Sequence, residues 1–314
     1  MTTLAIIGFG NIGRVHLENI QSLRGCRVAG VYDPRESQGY QSLSQVLEDP
    51  RVDAVVVATP SGSHAGITIA ALGAGKHVFV EKPLAGTLDD ARLIVAAAAK
   101  HPRLVVQAGF CERFNVNYME AKRAVVDGKL GDVRAIHSSR VAPYSFSDPS
   151  WELGVLDTAV HNLDLILWLK QSGPTRVLAR GTQVYGESSI PHSVTTTLTF
   201  ADGSLAVDHI AWLQDEGFPL NQCARSRMLL QGSKGYFDID LTDRPSAIRT
   251  GDGYRKIDHV ILGGCLKAQF EYFLRSIEDG SPVLAPPEDA LLTERVALAA
   301  LESLRSGREV SLAG

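Results

Sequence analysis

The sequence predicts an α/β protein with an N-terminal doubly wound parallel sheet and a second α/β domain built on a large, open, mainly antiparallel sheet. Three observations carry that expectation. Valine-rich apolar runs alternate with helical stretches through the first 110 or so residues. A glycine-rich turn separates the first run from the first helix. From Arg176 onward, runs of alternating apolar and polar residues are joined by hairpin turns. With 314 residues the chain is long enough for two cores, and the boundary falls near residue 115, giving domains 1–115 and 116–314.

The elements follow in order. Leu4–Ile7 is continuously apolar, as in a strand buried on both faces, and a helical pattern runs from Ile12 to about Leu23. Strand-like runs recur at Arg27–Tyr32, Ala54–Ala58, His77–Val80 and Leu104–Ala108. Helical stretches lie near Ser42–Glu48, Ser63–Leu72 and Leu88–Lys100, the last opened by Thr87 with Asp90 three positions on, a capping pair. Parallel strands joined by such helices imply right-handed crossovers. In the second half, Val116–Asp127 is helical until Gly128 and Gly131 break it, and Val133–Val141 reads as a strand. Val194–Phe200 and Leu205–Trp212 pair across Asp202-Gly203, Met228–Gln231 and Tyr236–Leu241 across Gly232–Gly235, and Asp252-Gly253 marks a third hairpin. A helix over Thr158–Lys170 covers one face of the resulting meander, and its threonine-rich other face is either solvated or paired with a second subunit. Leu266–Glu278 and Glu288–Leu304 are closing helices.

Gly8-Phe9-Gly10-Asn11-Ile12-Gly13 is a G-x-G-x-x-G between a strand and a helix. Gly8 permits the tight turn, Gly10 lets the backbone approach a pyrophosphate, and Gly13 permits close helix–strand packing. The helix start at Asn11 and Ile12 offers amide donors to the phosphates. Asp33 follows the second strand, 20 residues after Gly13, where a carboxylate accepts hydrogen bonds from the ribose hydroxyls of a dinucleotide. This is the Rossmann pattern. Asp33 repels a 2′-phosphate, which favours NAD, while Arg35 nearby leaves NADP possible.

Composition excludes several alternatives. Hydrophobic residues make up 45% and charged residues 21%, an ordinary globular balance. The formal net charge is −4 with no Lys/Arg block, so nucleic acid is not an expected partner. The longest stretch without Asp, Glu, Lys or Arg, Ala54–Gly75, is interrupted by Pro60–His64, so no membrane span is expected. Cys26, Cys111, Cys223 and Cys265 form no CxxC and no zinc-ligand spacing; with no secretory signal, they read as reduced thiols of a cytoplasmic protein without a metal site.

Two further stretches, Ala74–Leu84 (AGKHVFVEKPL) and Leu156–Asp164 with its D-x-x-x-H, together with Ala58-Thr59-Pro60 and His64, resemble the glucose–fructose oxidoreductase/inositol dehydrogenase family, Gfo/Idh/MocA, over essentially the whole chain. The resemblance implies that Glu81 lies by the nicotinamide ribose and that Lys82 sits by the substrate hydroxyl and the nicotinamide. It also implies that Pro83 is commonly cis, that Thr59 and Pro60 line the cofactor, and that Asp157 and His161 are the catalytic pair with His161 as general base. A homodimer or homotetramer formed through the open sheet is a further implication. Within the family, Glu112–Asn115, Arg140–Pro143 and Gly154–His161 look most like the UDP-N-acetylglucosamine 3-dehydrogenase branch, although the loop Tyr144–Leu153 departs from it.

The residues support those roles on their own terms. Oxidising a secondary alcohol needs a base for the hydroxyl proton, and histidine suits that work near neutral pH. Asp157 and His161 are four apart and share a helix face, and the surrounding positions, Val160, Leu163, Leu165, Ile166, Leu167 and Leu169, are apolar nearly all round, so the helix is buried. Lys82 follows a strand at the carboxyl edge of the sheet, where a lysine stabilises a developing alkoxide. His64 reads equally as a packing residue and as a ligand contact. Arg113, Tyr144 and Trp151 are candidates for substrate contact: an arginine to grip hydroxyl, carboxylate or phosphate, and aromatics to stack on a sugar. The function expected is oxidation of a sugar, sugar nucleotide or cyclic polyol with NAD. A non-catalytic dinucleotide-binding sensor and an NAD-dependent glycosidase are the alternatives.

Overall fold

A computed structural model describes residues 1–143, 155–184, 191–213, 225–241, 246–250, 253–257 and 264–312. The chain divides into two compact units, one of Met1–Asn115 with Gly263–Leu291, the other of Val116–Leu262 with Leu292–Gly314.

The first unit opens β1 (Thr2–Ile7), α1 (Asn11–Gln21), β2 (Cys26–Tyr32), α2 (Leu43–Glu48), β3 (Ala54–Val57), α3 (His64–Gly73), β4 (His77–Val80), α4 (Leu88–Lys100) and β5 (Val106–Ala108). All strand pairs are parallel, in the order β2-β1-β3-β4-β5. Ala54 to Val57 are fully buried, as the uninterrupted apolar run of β3 requires of a sheet covered on both faces. Thr87 caps α4, its hydroxyl accepting from the Asp90 amide at 3.1 Å and donating to the Asp90 carboxylate at 2.8 Å. Fifth-strand pairing is shorter than the apolar run Leu104–Ala108 suggests.

The second unit contains α5 (Val116–Val126), β6 (Val133–Pro143), α6 (Val155–Lys170), β7 (Arg176–Thr182), β8 (Ser193–Thr199), β9 (Leu205–Leu213), β10 (Arg225–Gly232), β11 (Gly235–Asp240), β12 (Ser246–Thr250) and β13 (Gly253–Ile257). Two helices follow, α7 (Gly264–Asp279) and α8 (Pro287–Ser306), and a last short strand, β14 (Val310–Ser311). The nine strands form one sheet, β13-β12-β11-β10-β6-β9-β8-β7-β14. Its pairs are antiparallel except β6 with β9, which run parallel side by side. The turn at Asp202-Gly203 has the positive φ of +76° at Gly203 that a tight hairpin favours. Helix α6 lies on β6, β8 and β9, and its apolar positions Val160, Leu163, Leu165, Ile166, Leu167 and Leu169 are all buried. Along β8 the inward set Val194, Thr196 and Leu198 is buried, while Thr195, Thr197 and Thr199 on the other face stay half-exposed.

The expectation that all of 116–314 belongs to the second domain is corrected at 263–291, which includes α7. The reason is apolar complementarity: Phe270 and Phe273, three apart on α7, complete the core formed by Leu4, Ile6, Ile20, Val31, Val56 and Phe79. Phe270 meets Phe79 at 4.6 Å between ring centroids. Among the described residues, no helix is long and apolar enough to cross a membrane.

Candidate functional site

In the first unit, the turns after β1, β2, β3 and β4 lie at the carboxyl ends of the parallel strands, where doubly wound sheets bind ligands. These turns carry Gly8–Gly13, Asp33, Thr59-Pro60 and Glu81-Lys82.

The glycines differ in what they are for. Gly8 has φ +98°, and a Cβ there would lie 2.5 Å from the Ala58 carbonyl oxygen. A Cβ on Gly13 would run into the Gly8 carbonyl oxygen. A Cβ on Gly10 would meet nothing within 4 Å. Gly10 also N-caps α1 without a side-chain bond, and the first helical bond is Arg14 N–H to Gly10 O at 3.1 Å. The amides of Asn11, Ile12 and Gly13 thus precede the helical ladder, beside open space and at the positive end of the helix dipole. That combination fits a pyrophosphate.

Asp33 is tied into the same turn. It accepts from the Phe9 amide at 2.8 Å through one oxygen and from the Arg35 amide at 2.8 Å through the other. These two donors, Arg35 first, hold its pKa below the ordinary carboxylate value. The sign follows: the stability contributed by this carboxylate is present above its unfolded pKa, about 3.9, and is lost as pH falls through the lower folded value. At neutral pH it is an anion able to accept hydrogen bonds from hydroxyl groups. Hydrogen bonds to a charged group are worth about 1.5–3 kcal/mol, so Asp33→Ala is expected to raise KM for NAD by about tenfold or more and to weaken discrimination against NADP. Steady-state kinetics with both dinucleotides checks this.

Glu81 is buried, 7% exposed. One oxygen lies 2.6 Å from Nε2 of His16 and the other accepts from the Lys82 amide at 2.9 Å. The close approach of Gly109 completes its wall, since a Cβ there would lie 2.9 Å from the carboxylate. The Lys82–Pro83 peptide is cis. His64 clamps the neighbouring turns: its Nδ1 lies 2.9 Å from the Pro83 carbonyl oxygen and its Nε2 2.7 Å from that of Thr59. Two carbonyl partners favour the doubly protonated ring, but burial pushes the His64 pKa down, and in this dry setting burial is the larger effect. Thr59 Oγ1 accepts from Ser63 at 2.8 Å, Pro60 is exposed, and Lys82 is half-buried.

His16 was not singled out in the sequence. It stands on the inward face of α1 with Gly13 and Ile20, edge-on to Phe79 and Phe270 at 5.5 and 5.0 Å. A histidine on an otherwise apolar helix stripe is the signal that marks it.

In the second unit, α6 carries both members of the D-x-x-x-H. Asp157 and His161 are one turn apart on it; His161 is half-buried, and the Asp157 side chain lies outside the described residues. Directly after His161, Asn162 ties the helix to the sheet. Its Nδ2 donates to Asp208 at 2.8 Å and its Oδ1 accepts from Nε of Arg140 at 3.1 Å, while Ser138 Oγ donates to Asp208 at 2.5 Å. Asp208 is 1% exposed, and burial pushes its pKa up to about 6 against the pull of Ser138, Asn162 and Arg140. It sits in the inward set Ala206, Asp208, Ile210, Trp212 of β9, a carboxylate where the alternation calls for an apolar residue. Because the folded pKa exceeds the unfolded value, this group's contribution to stability is greatest below about pH 4 and declines as pH rises toward 6. Asp208→Asn removes that decline. The stability difference between variant and wild type should shift toward the variant by up to about 3 kcal/mol from pH 4 to 7. A pH-independent difference in denaturant midpoints would contradict this reading.

Arg113 corrects an expectation. It is fully buried within the first unit, with Nη1 2.6 Å from both the Leu284 carbonyl oxygen and the Asp289 carboxylate. It is a packing residue of that unit, because a buried guanidinium must find acceptors inside the fold. Tyr144 and Trp151 lie outside the described residues. Among those described, no cluster of three His, Cys, Asp or Glu side chains could hold a metal ion.

The chain is similar to known proteins in both of its halves. Residues 2–110 match the model described as "Oxidoreductase family, NAD-binding Rossmann fold", and residues 118–238 match the "GFO/IDH/MocA C-terminal domain". Myo-inositol 2-dehydrogenase of Thermotoga maritima is 26% identical over 98% of both chains. Inositol 2-dehydrogenase of Pseudomonas fluorescens is 33% identical over 53% of this chain and 54% of its own length, so the chain spans about half of that relative. The structure of scyllo-inositol dehydrogenase from Lactobacillus casei with bound NAD(H) and scyllo-inositol shares the fold over the whole of both chains, with a TM-score of 0.84 and 22% identity. With both of its domains matched by models of one family, the chain belongs to the Gfo/Idh/MocA family of NAD-binding oxidoreductases.

Proposed function

We propose that the protein is an NAD-dependent dehydrogenase that oxidises a secondary alcohol of a cyclic polyol, sugar or sugar nucleotide, with cyclic polyols favoured by the names of its relatives. The observation that carries the reading is the turn where open space at Gly10 adjoins an Asp33 carboxylate fixed on the Phe9 amide. When bound, NAD supplies the hydride acceptor. Gly8, Gly10, Asn11, Ile12 and Gly13 hold its phosphates and Asp33 its adenosine ribose, with Arg35 alongside. Thr59, Pro60 and Glu81 serve the cofactor's other end. His161 takes the hydroxyl proton on its imidazole, Asp157 orients and charge-balances that ring, and the Lys82 ammonium stabilises the alcohol oxygen as it becomes negative. The cytoplasm, where NAD is abundant, suits such an enzyme. The half-exposed threonine face of the large sheet suits a homodimer or homotetramer.

The test is the absorbance of reduced nicotinamide with NAD across a panel of inositols, sugars and UDP-sugars. Turnover of a polyol or sugar supports the proposal. Cleavage of a nitrophenyl glycoside with NAD unconsumed would replace it by the glycosidase reading, and tight NAD binding with no turnover on the whole panel would replace it by the sensor reading.

A further inference from the structure

His16 has no part in the chemistry proposed above, yet it is fully buried in the first unit with one ring nitrogen on the Glu81 carboxylate. Nε2 lies 2.6 Å from Oε1, while Oε2 accepts from the Lys82 amide at 2.9 Å. Nδ1 is also buried and has no hydrogen-bonding partner among the described residues. These contacts assign the tautomer. A ring with one proton carries it on Nε2, where a carboxylate receives it, and not on Nδ1, where a buried N–H would be left unpaired. Packing holds the ring in that orientation, with Phe79 and Phe270 at interplanar angles of 79° and 80° to it. Phe270 belongs to α7, so the helix that returns to this unit fixes the ring as well as completing the core.

The carboxylate is thereby held but not saturated. An ionised carboxylate has about four acceptor positions, and His16 and the Lys82 amide take one on each oxygen. Gly109 bounds it on a further side, where a Cβ would lie 2.9 Å from the carboxylate carbon. The Glu81 side chain keeps 9% of its surface open and the His16 side chain keeps none. A hydroxyl arriving from outside therefore reaches Glu81 and not His16. His16 also stands on α1, five residues beyond Asn11, about 7.5 Å along the helix. One helix thus carries both the amides assigned to the pyrophosphate and the ring that sets Glu81.

We propose that His16 is a positioning residue for dinucleotide binding: its Nε2–H fixes the Glu81 carboxylate so that the remaining acceptor positions meet the hydroxyls of the ribose on the nicotinamide side. The inference rests on the NAD reading above.

The experiment measures Kd for NAD and for ADP by calorimetry on the full-length chain. ADP carries the diphosphate and the adenosine ribose but not the second ribose, so it reports the glycine turn and Asp33 without Glu81. His16→Phe keeps a ring and removes the donor; it should raise Kd for NAD at least about tenfold and leave that for ADP within about twofold. His16→Gln, whose amide N–H replaces the Nε2–H, should restore NAD binding to within about threefold of wild type. In a Glu81→Ala chain, adding His16→Phe should cost NAD binding nothing further. An unchanged ratio of NAD to ADP affinity in His16→Phe, or equal NAD affinities for the Phe and Gln variants, would overturn the proposal. A wild-type chain that does not bind NAD would instead remove the reading of the site and this inference with it. If His16→Phe does not fold, NMR of the ¹⁵N-histidine-labelled wild type decides. The His16 proton should be on Nε2, with a resonance that NAD shifts and ADP does not; a proton on Nδ1 would overturn the proposal.

Discussion

Replacing His161 with Ala is expected to lower kcat by about 10²–10⁴-fold at neutral pH, the range a positioned general base supplies. The loss should shrink as pH rises and hydroxide takes over, so the variant's kcat/KM should lack the acidic limb of the wild-type profile. Lys82→Ala should cost about 10²–10³-fold in kcat, because a preorganised cation acts where charge develops in the transition state. Its pH profile should keep the acidic limb, which separates the two roles. NAD binding, followed by fluorescence quenching or calorimetry, should survive His161→Ala, whose residue lies outside the dinucleotide-binding unit. Either variant turning over a true substrate at the wild-type rate would remove that residue from the mechanism.

The second large effect separates two glycines of one motif. Gly8→Ala must hold an alanine at φ +98° and place a methyl 2.5 Å from the Ala58 carbonyl oxygen, a backbone atom that cannot step aside. The left-handed backbone alone costs about 1–2 kcal/mol, and the clash raises the total to roughly 3 kcal/mol or more. That corresponds to a Tm lower by about 6–12 °C in a domain of this size. Gly10→Ala meets open space at φ −71°, so its Tm should stay within about 2 °C of wild type. Its methyl instead occupies the open space proposed for the pyrophosphate, and the Kd for NAD should rise by at least about tenfold. Calorimetric scans without and with NAD read both effects. Equal Tm losses for the two variants would contradict the division of labour between these glycines.

What the sequence revealed follows from how local each feature is. The glycine turn, the Thr87 cap, Asp33 and the hairpin at Gly203 are written in a few neighbouring residues, and the structure realises them. Two families of contact escaped because their partners are remote. Phe270 and Phe273 join the core of the first unit from beyond residue 260, and nothing in their own neighbourhood names Phe79 as their partner. The parallel pairing of β6 with β9 likewise depends on the whole connection between them. At the site, His16 and Glu81 meet across 65 positions. Asp208, on the inward face of β9, was not singled out in the sequence, and tertiary contacts show that Ser138 and Asn162 satisfy it. Arg113 marks the opposite limit. A buried structural arginine and a ligand-gripping one have the same sequence appearance, and only its bonds to Leu284 and Asp289 decide between them.

The most direct test of hydride transfer follows the hydrogen itself. A substrate found in the panel is prepared with deuterium on its carbinol carbon and incubated with the enzyme and NAD, and the reduced nicotinamide is examined by NMR and mass spectrometry. Deuterium is expected at C4 of the nicotinamide, one atom for each molecule of ketone formed. Oxidised product with the deuterium released to solvent, or with NAD left unreduced, would contradict it.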